Sequence, residues 1–572
     1  MTLATSLVRN AFHSVAKWIA KTSPLWGLAL LSLSNTASAI YLDGEGHYSL
    51  SGATETSPGQ ATNKGMYQAI RQNFRLLGEA RLNEKSSVFL EFKLFDPRTG
   101  YLGDSGHPRR CNPGYRVEYD EDLKNKRYVK DTSCDGRPQD TGEPGYTPYV
   151  PKVTQIYARY GFEYCLLDAG RRGRDWGMGL FLDSGKRPFD QDASVFDGVT
   201  CNINLQKAQT LAFSVGFDKL SETGSYLNNP YNLPAPAQPV AGTTDDSSKE
   251  RTEFKKRQET FGPTKQIDDV DQFFLTIEFD DRKANPGAAF TKDIGFYFSN
   301  VVGQGQGTDI KFLDLYTGFF FSDLAFRNEV IFRLGKSSDP NWVRLGGKYE
   351  PDVDDPSKLN GNKLQSIGFG GQFDWTINRS GAYIGPPEYN KGDFSRHALI
   401  FDYAYAPGDS DGYRNVSDTT SRSDNNVKAM AFHRNYKPAL IMFNGHSELD
   451  DMRVDGIYDP DRVMNVTLFG LAYRYESVTT GNFDVKFLSG SLDQKIPGEV
   501  KDQYVDSPTR PLGYSGRQLG YELDLKYTKS VGRELELGLA AGALLPGKAW
   551  QTQKDDSAAN DILLQSTVAF KF

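Results

Sequence analysis

Apolar and polar positions alternate with a period of two through most of this chain. From Ile562 onward every second side chain is Ile562, Leu564, Ser566, Val568, Phe570 and Phe572, with Leu563, Gln565, Thr567, Ala569 and Lys571 between them. That period makes a strand with one apolar face and one mostly polar face. Phe74, Leu76, Gly78, Ala80 and Leu82 alternate in the same way with Asn73, Arg75, Leu77, Glu79 and Arg81. After Asn83-Glu84-Lys85, Val88, Leu90, Phe92 and Leu94 run against Phe89, Glu91, Lys93 and Phe95. A hairpin with charge on one face and aliphatics on the other is a poor half of a water-soluble core and a good wall between lipid and water. The pattern returns at Leu211–Phe217, Phe273–Phe279, Ile294–Phe298, Leu519–Tyr527 and Leu535–Ala543. It predicts an all-β fold, a transmembrane antiparallel up-and-down β-barrel of about eighteen strands, with sixteen and twenty as the neighbouring even counts.

Composition agrees with a barrel and excludes a helical membrane protein. No run of ~18 apolar residues follows the N-terminal region, and the mean hydropathy is on the hydrophilic side. Aromatic residues make up 13% of the chain, enough for girdles at both membrane interfaces. Residues 1–39 carry Arg9, Lys17 and Lys21, an apolar run from Pro24 to Leu33, and then Ala37-Ser38-Ala39. This is the order of a secretory signal peptide cleaved after Ala39, leaving 40–572 as the barrel. Cleavage removes three of the 66 basic residues and none of the 73 acidic ones, moving the formal charge from −7 to −10. A chain so charged and so exported is not expected to meet nucleic acid.

Residues 96–152 and 219–268 lack strand pattern and read as long extracellular loops, while 407–426 falls on the periplasmic side by strand counting. Lys249–Glu259 reads as a solvated charge run or a short loop helix. Of the four cysteines, Cys111 and Cys134 share one polar stretch and are the preferred disulfide; Cys165 and Cys201, near strand ends, either pair or stay buried thiols. No CxxC occurs and the six histidines are scattered, so no metal or other cofactor is expected.

Charged residues that alternate with lipid-facing ones are the pore-lining candidates. The cations are Arg75, Arg81, Lys93, Arg159, Arg327, Arg333 and Lys486; the anions are Glu79, Glu91, Glu329, Glu522 and Asp524. Such groups either set a field across a channel or pair across strands to hold it together. Arg171, Arg172 and Arg174, in a Gly-rich stretch with Trp176, suit either a tight turn with an interfacial Trp anchor or the phosphates of an anionic solute or lipopolysaccharide, and Arg171 and Arg172 are further pore-lining candidates. Catalysis is not expected. His397 and His433 have no evident Ser partner, and Asp450-Asp451 near His446 lacks an Asp-x-His spacing. Asp409-Ser410-Asp411-Gly412 and Asp352–Asp355 read as acidic turns rather than calcium sites.

The chain's end resembles the closing strand of bacterial outer-membrane barrels, whose recognition signal is polar–x–Gly–x–x–aromatic–x–aromatic. Gln565, Phe570 and Phe572 fit it, and Thr567 stands in place of Gly. The resemblance implies that the barrel-assembly machinery reads Phe572. Three further segments resemble the alginate-export family of outer-membrane porins: Gly170-Arg171 through Gly179, Phe432–Phe443 as an aromatic start leading into an apolar strand, and Gly542–Ala549 before the last strand. That resemblance implies an eighteen-stranded monomer passing a polyanionic polysaccharide, gated by one extracellular and one periplasmic loop, with 407–426 as the second gate. The mixture of acids and bases among the lumen candidates departs from it and leaves the cargo open. The function expected is an outer-membrane channel for hydrophilic solutes, a sugar or polysaccharide among them, in contact with outer-membrane lipid and lipopolysaccharide. The alternative is a surface-structural or adhesin barrel with a plugged lumen and working outer loops.

Overall fold

The computed structural model describes residues 41–56, 67–95, 115–120, 125–130, 152–187, 190, 193–204, 210–221, 270–282, 284–285, 288–303, 308–337, 362–381, 394–409, 426–443, 462–494, 516–532, 534–550 and 560–572. The expected signal peptide, the expected pair Cys111 and Cys134, and Lys249–Glu259 lie outside them.

Eighteen strands follow one another in chain order. The first six are β1 (Tyr41–Glu55), β2 (Tyr67–Asn83), β3 (Ser86–Phe95), β4 (Lys152–Gly161), β5 (Leu166–Gly173) and β6 (Val195–Asn204). Then come β7 (Leu211–Ser221), β8 (Val270–Asp280), β9 (Phe290–Gly303), β10 (Thr308–Phe321), β11 (Leu324–Ser337) and β12 (Asn362–Ser380). The last are β13 (Ser395–Ala406), β14 (Val466–Ser477), β15 (Asn482–Leu492), β16 (Gln518–Val531), β17 (Leu535–Pro546) and β18 (Asp561–Lys571). Each pairs antiparallel with its sequence neighbour, and β1 pairs with both β2 and β18, so the sheet closes. At the seam Gly46 donates to and accepts from the backbone of Phe572. A Cβ on Gly46 would lie 2.2 Å from the Phe572 ring, so the terminal aromatic would have to shift to admit a larger residue there.

Alternation decides which face each side chain takes. Phe217 (52% exposed), Leu539 (62%) and Leu564 (58%) point outward, whereas Asp314, Glu329 and Glu522 point inward and are fully buried. An apolar band around a closed barrel is what a bilayer interior covers, since every strand has its backbone hydrogen bonds satisfied by its neighbours. No helix among the described residues is long and apolar enough to cross a membrane.

All connections from an odd to an even strand share one rim, and all from even to odd share the other, together with the start of β1 and the end of β18. The stretches 96–151, 174–194, 222–269 and 407–465 are all odd-to-even. The described ends of 407–426, Pro407–Asp409 and Asn426, therefore lie at the rim of the long loops, and the expectation that this stretch falls on the opposite, periplasmic side fails at those ends. The loop 96–151 also contains a hairpin, Tyr115–Asp120 against Asn125–Lys130. Its signal, Tyr115, Val117 and Tyr119 in alternation, is only six residues long. Cys165, in the β4–β5 turn, is bonded to Cys201 on β6, which resolves the alternative left open for that pair.

Candidate functional site

Two irregular segments turn inward from the long-loop rim and fill much of the interior: 174–194, between β5 and β6, and 426–443, between β13 and β14. Apart from a short parallel contact of Asn426–Val427 with Lys363–Leu364 and a bridge from Ala431 to Met464, leaving the sheet strips their backbone of ladder partners, so their amides and carbonyls need others. Inward side chains of the wall supply them, acids for amides and bases for carbonyls.

Glu329 on β11 accepts the amides of Met178 (2.5 Å), Leu180 (3.4 Å) and Phe181 (3.2 Å). The chain can wrap the carboxylate because Gly177 (φ 55°) has no Cβ, which would lie 2.6 Å from Glu329 Oε2. Arg75 on β2 donates to the carbonyls of Gly185 and Lys186, and lies 3.9 Å from Glu91, whose carboxylate accepts from Thr154 and Gln155. Arg174 enters between the rings of Phe274 and Phe196, 3.6 and 4.2 Å from their centroids, and pairs with Asp218 at 3.0 Å. Trp176 is buried inside the barrel against Tyr297, so the expected interfacial anchor is corrected: its ring packs where Gly295 leaves the wall bare.

The second segment is held in the same way. Glu522 on β16 accepts the amides of Leu440, Ile441 and Met442 at 2.7–2.8 Å, and Asp524 takes a second bond from Leu440 at 3.1 Å. Arg333 on β11 donates to the Ala429 carbonyl and to Ser366, and Lys486 on β15 donates to the Pro438 carbonyl. Lys486 also pairs with Asp402 at 2.6 Å, across Gly470 of the intervening β14. The apolar strand expected within Phe432–Phe443 is absent; with its amides on Glu522 and its turn at Pro438, the segment has no ladder to join. Asp409 accepts the Lys428 amide, so it braces this segment; Asp352–Asp355, Asp411, His446 and Asp450-Asp451 lie outside the described residues.

The segments also grip each other. The His433 amide donates to the Leu180 carbonyl at 2.7 Å, and Asn435 Nδ2 donates to Asp183 at 3.0 Å. Leu180, Met430, Phe432, Met442 and Phe443 pack into one apolar cluster, and Trp176, Leu182, Val427 and Ala429 join wall residues in another.

The remaining predicted residues divide by position. Arg159 makes a two-pronged pair with Asp168 (2.7 and 3.1 Å), which Arg172 joins at 2.8 Å. Glu79 and Arg81 pair at 3.0 Å near the short-turn rim, and Lys93 lies on the inward face of β3. Arg171 does not face the lumen. It lies directly opposite Asp197 on the outer surface, bonded at 2.7 and 2.5 Å, because neighbouring residues of a strand take opposite faces and Arg172 points in.

Beside the interlocked segments lies a cavity of about 820 Å³. One side is the β17–β18–β1 wall, where inward residues are small or neutral: Ser49, Ser51, Gly538, Ala540 and Thr567. The other side carries charge. Lys486 and Arg474 are matched by Asp402 and Asp484. Arg327 and Lys526 also line the cavity and have no hydrogen bond or ion pair among the described residues, although Lys526 lies opposite Asp484 and on the same face as Asp524; sequence reasoning named the first and missed the second. Glu536, near the short-turn rim, is the exposed acid lining it. Burial and the neighbouring Asp183 push the Asp190 carboxyl, from the first segment, up to about 6. The arrangement offers fixed, partly uncompensated positive charge beside a smooth neutral wall. Among the described residues no cluster of His, Cys, Asp or Glu has the makings of a metal site, and His397 bonds the Tyr473 hydroxyl.

No protein-family model matches the chain, and no curated protein matches its sequence. Solved structures similar to it include Pseudomonas aeruginosa OccK8 (OprE), at 10% identity and a TM-score of 0.42 over 93% of this chain and 98% of that one. The Pseudomonas aeruginosa outer membrane protein opdK is 12% identical, with a TM-score of 0.38 over 93% and 99%. Pseudomonas aeruginosa OccK2 (OpdF), in complex with glucuronate, is 9% identical, with a TM-score of 0.41 over 93% and 96%. Nothing in these likenesses supports the alginate-export family specifically.

Proposed function

We propose that this chain is an outer-membrane channel through which small hydrophilic solutes pass passively, anionic ones preferentially. The observation that carries this reading is the lumenal cavity with Arg327 outside every ion pair among the described residues and Lys526 bonded to neither of its acidic neighbours, Asp484 and Asp524, on one side, and a smooth polar wall on the other. Unpaired cations in a narrow, partly dehydrated passage lower the cost of an anion's entry and raise that of a cation's. Two segments fixed across the interior leave room for a small molecule rather than a thick polymer, which speaks against the polysaccharide cargo. No step of bond chemistry is assigned to any residue. An exported barrel, closed by a terminal aromatic that the assembly machinery reads, belongs in an outer membrane, in contact with its lipid and lipopolysaccharide.

The second reading, a plugged barrel with working outer loops, is favoured by the two packed apolar clusters inside the lumen. Reversal potentials in a salt gradient across a planar bilayer separate the two. The channel reading expects discrete conducting events with anion preference, and a shift toward cations of about twofold or more in permeability ratio for Arg327→Gln with Lys526→Gln. Correctly folded protein that gives no conducting events supports the plug.

A further inference from the structure

Charge on the outer wall is sparse, and near the long-loop rim it follows one line of cross-strand neighbours. Arg171 faces Asp197, Asp197 faces Lys219, and Lys219 faces Asp271, so from β5 to β8 every charge meets its opposite. The line continues through Val302 to Asp309 on β10, then to Lys336 on β11 and Lys363 on β12. There the rule breaks, because a lysine faces a lysine. Like charges directly opposite destabilise a strand pair. Asp309 does not relieve them; it is 3.6 Å from Lys311 on its own strand. Lys336 and Lys363 are both exposed, and neither has a hydrogen bond or ion pair among the described residues.

Below this pair the same outward face turns apolar, with Leu334, then Phe332 and Ile367, all exposed. At the rise of a strand, the Phe332–Ile367 level lies ~14 Å from the lysines. Cationic heads above an apolar ledge match an amphiphile with an anionic head and hydrocarbon tails, and lysine stems reach up to an interface while lying on apolar surface. The arginines of the Arg171–Arg174 stretch are unsuited to this task, since Asp197, Asp168 and Asp218 already hold them.

We propose that Lys336 and Lys363, with Lys311 beside them, bind the phosphate of a phosphorylated lipid of the outer leaflet, whose acyl chains lie along Leu334, Phe332 and Ile367. The phosphate between the two ammonium groups supplies the opposite charge the line otherwise lacks. This rests on the outer wall facing lipid, not on conductance through the lumen.

The test is native mass spectrometry of the purified barrel from neutral-detergent micelles, titrated with bis-phosphorylated lipid A, with dephosphorylated lipid A and with inorganic phosphate. Phosphorylated lipid is expected to be retained about tenfold more tightly than the dephosphorylated form, with Lys336→Gln/Lys363→Gln losing that difference. Lys363→Asp, which restores an opposite pair with Lys336 and has only the neutral Asn426 on its other side, is expected to lose the lipid while its lipid-free barrel resists heat at least as well as wild type. Both variants keep wild-type conductance, so failure here is separable from failure of the channel reading. Equal retention of the two lipids, or unchanged retention by the double variant, overturns the proposal. So does displacement of the lipid by inorganic phosphate at similar concentration, which marks a simple anion site.

Discussion

Glu329 and Glu522 are fully buried carboxylates, and each collects three backbone amides from a segment far away in sequence. A buried amide left without its acceptor costs about 1–3 kcal/mol, so each carboxylate outweighs an ordinary surface ion pair. Period-two alternation was enough to put Arg75, Glu91, Arg159, Glu329, Arg333, Lys486, Glu522 and Asp524 on the inward face. It was not enough to show that several of them meet backbone rather than water, because the segments they hold carry no period. Asp190 gives this scale its prediction. Its carboxyl titrates at about 6 instead of the ordinary 3.8, so the fold favours its protonated form. That contribution to stability is complete below about pH 4 and is lost as the pH rises through about 6. The cavity therefore gains a negative charge on going from acid to neutral solution. Anion preference is expected to be stronger at about pH 5 than at about pH 7, and Asp190→Asn to abolish the difference, with reversal potentials as the readout.

Among the elements, the strands were legible because each had a lipid side and a water side, and the seam because it ends on Phe572. The segments 174–194 and 426–443 were not. Their order comes from Gly177, Gly179 and Gly185, all at positive φ, and from wall partners contributed by β2, β11, β15 and β16. Nothing local in sequence announces such partners. The Gly-rich stretch did signal close backbone approach, although the approach is to Glu329 and not to a phosphate. The grip between the segments runs through Asn435 and Asp183. Asn435→Ala and Asp183→Ala are each expected to speed limited proteolysis within both segments, while the double variant is cleaved no faster than the worse single one. Additive acceleration would show that the segments move independently.

For the whole molecule, a closed eighteen-strand wall leaves no free sheet edge and hides its backbone from lipid, so the interior is free to be irregular. Wall and filling are then separable: the wall is held by its ladders, the filling by inward side chains. The central claim is that the two segments, pinned by Glu329 and Glu522, define the residual path for solutes. Single-channel conductance of purified protein in planar bilayers tests it most directly, comparing wild type with Glu329→Ala and Glu522→Ala. The account predicts small discrete steps for wild type and larger, noisier steps for each variant, because a loosened segment widens the path. Steps of identical size in all three proteins, or none in any of them, would contradict it.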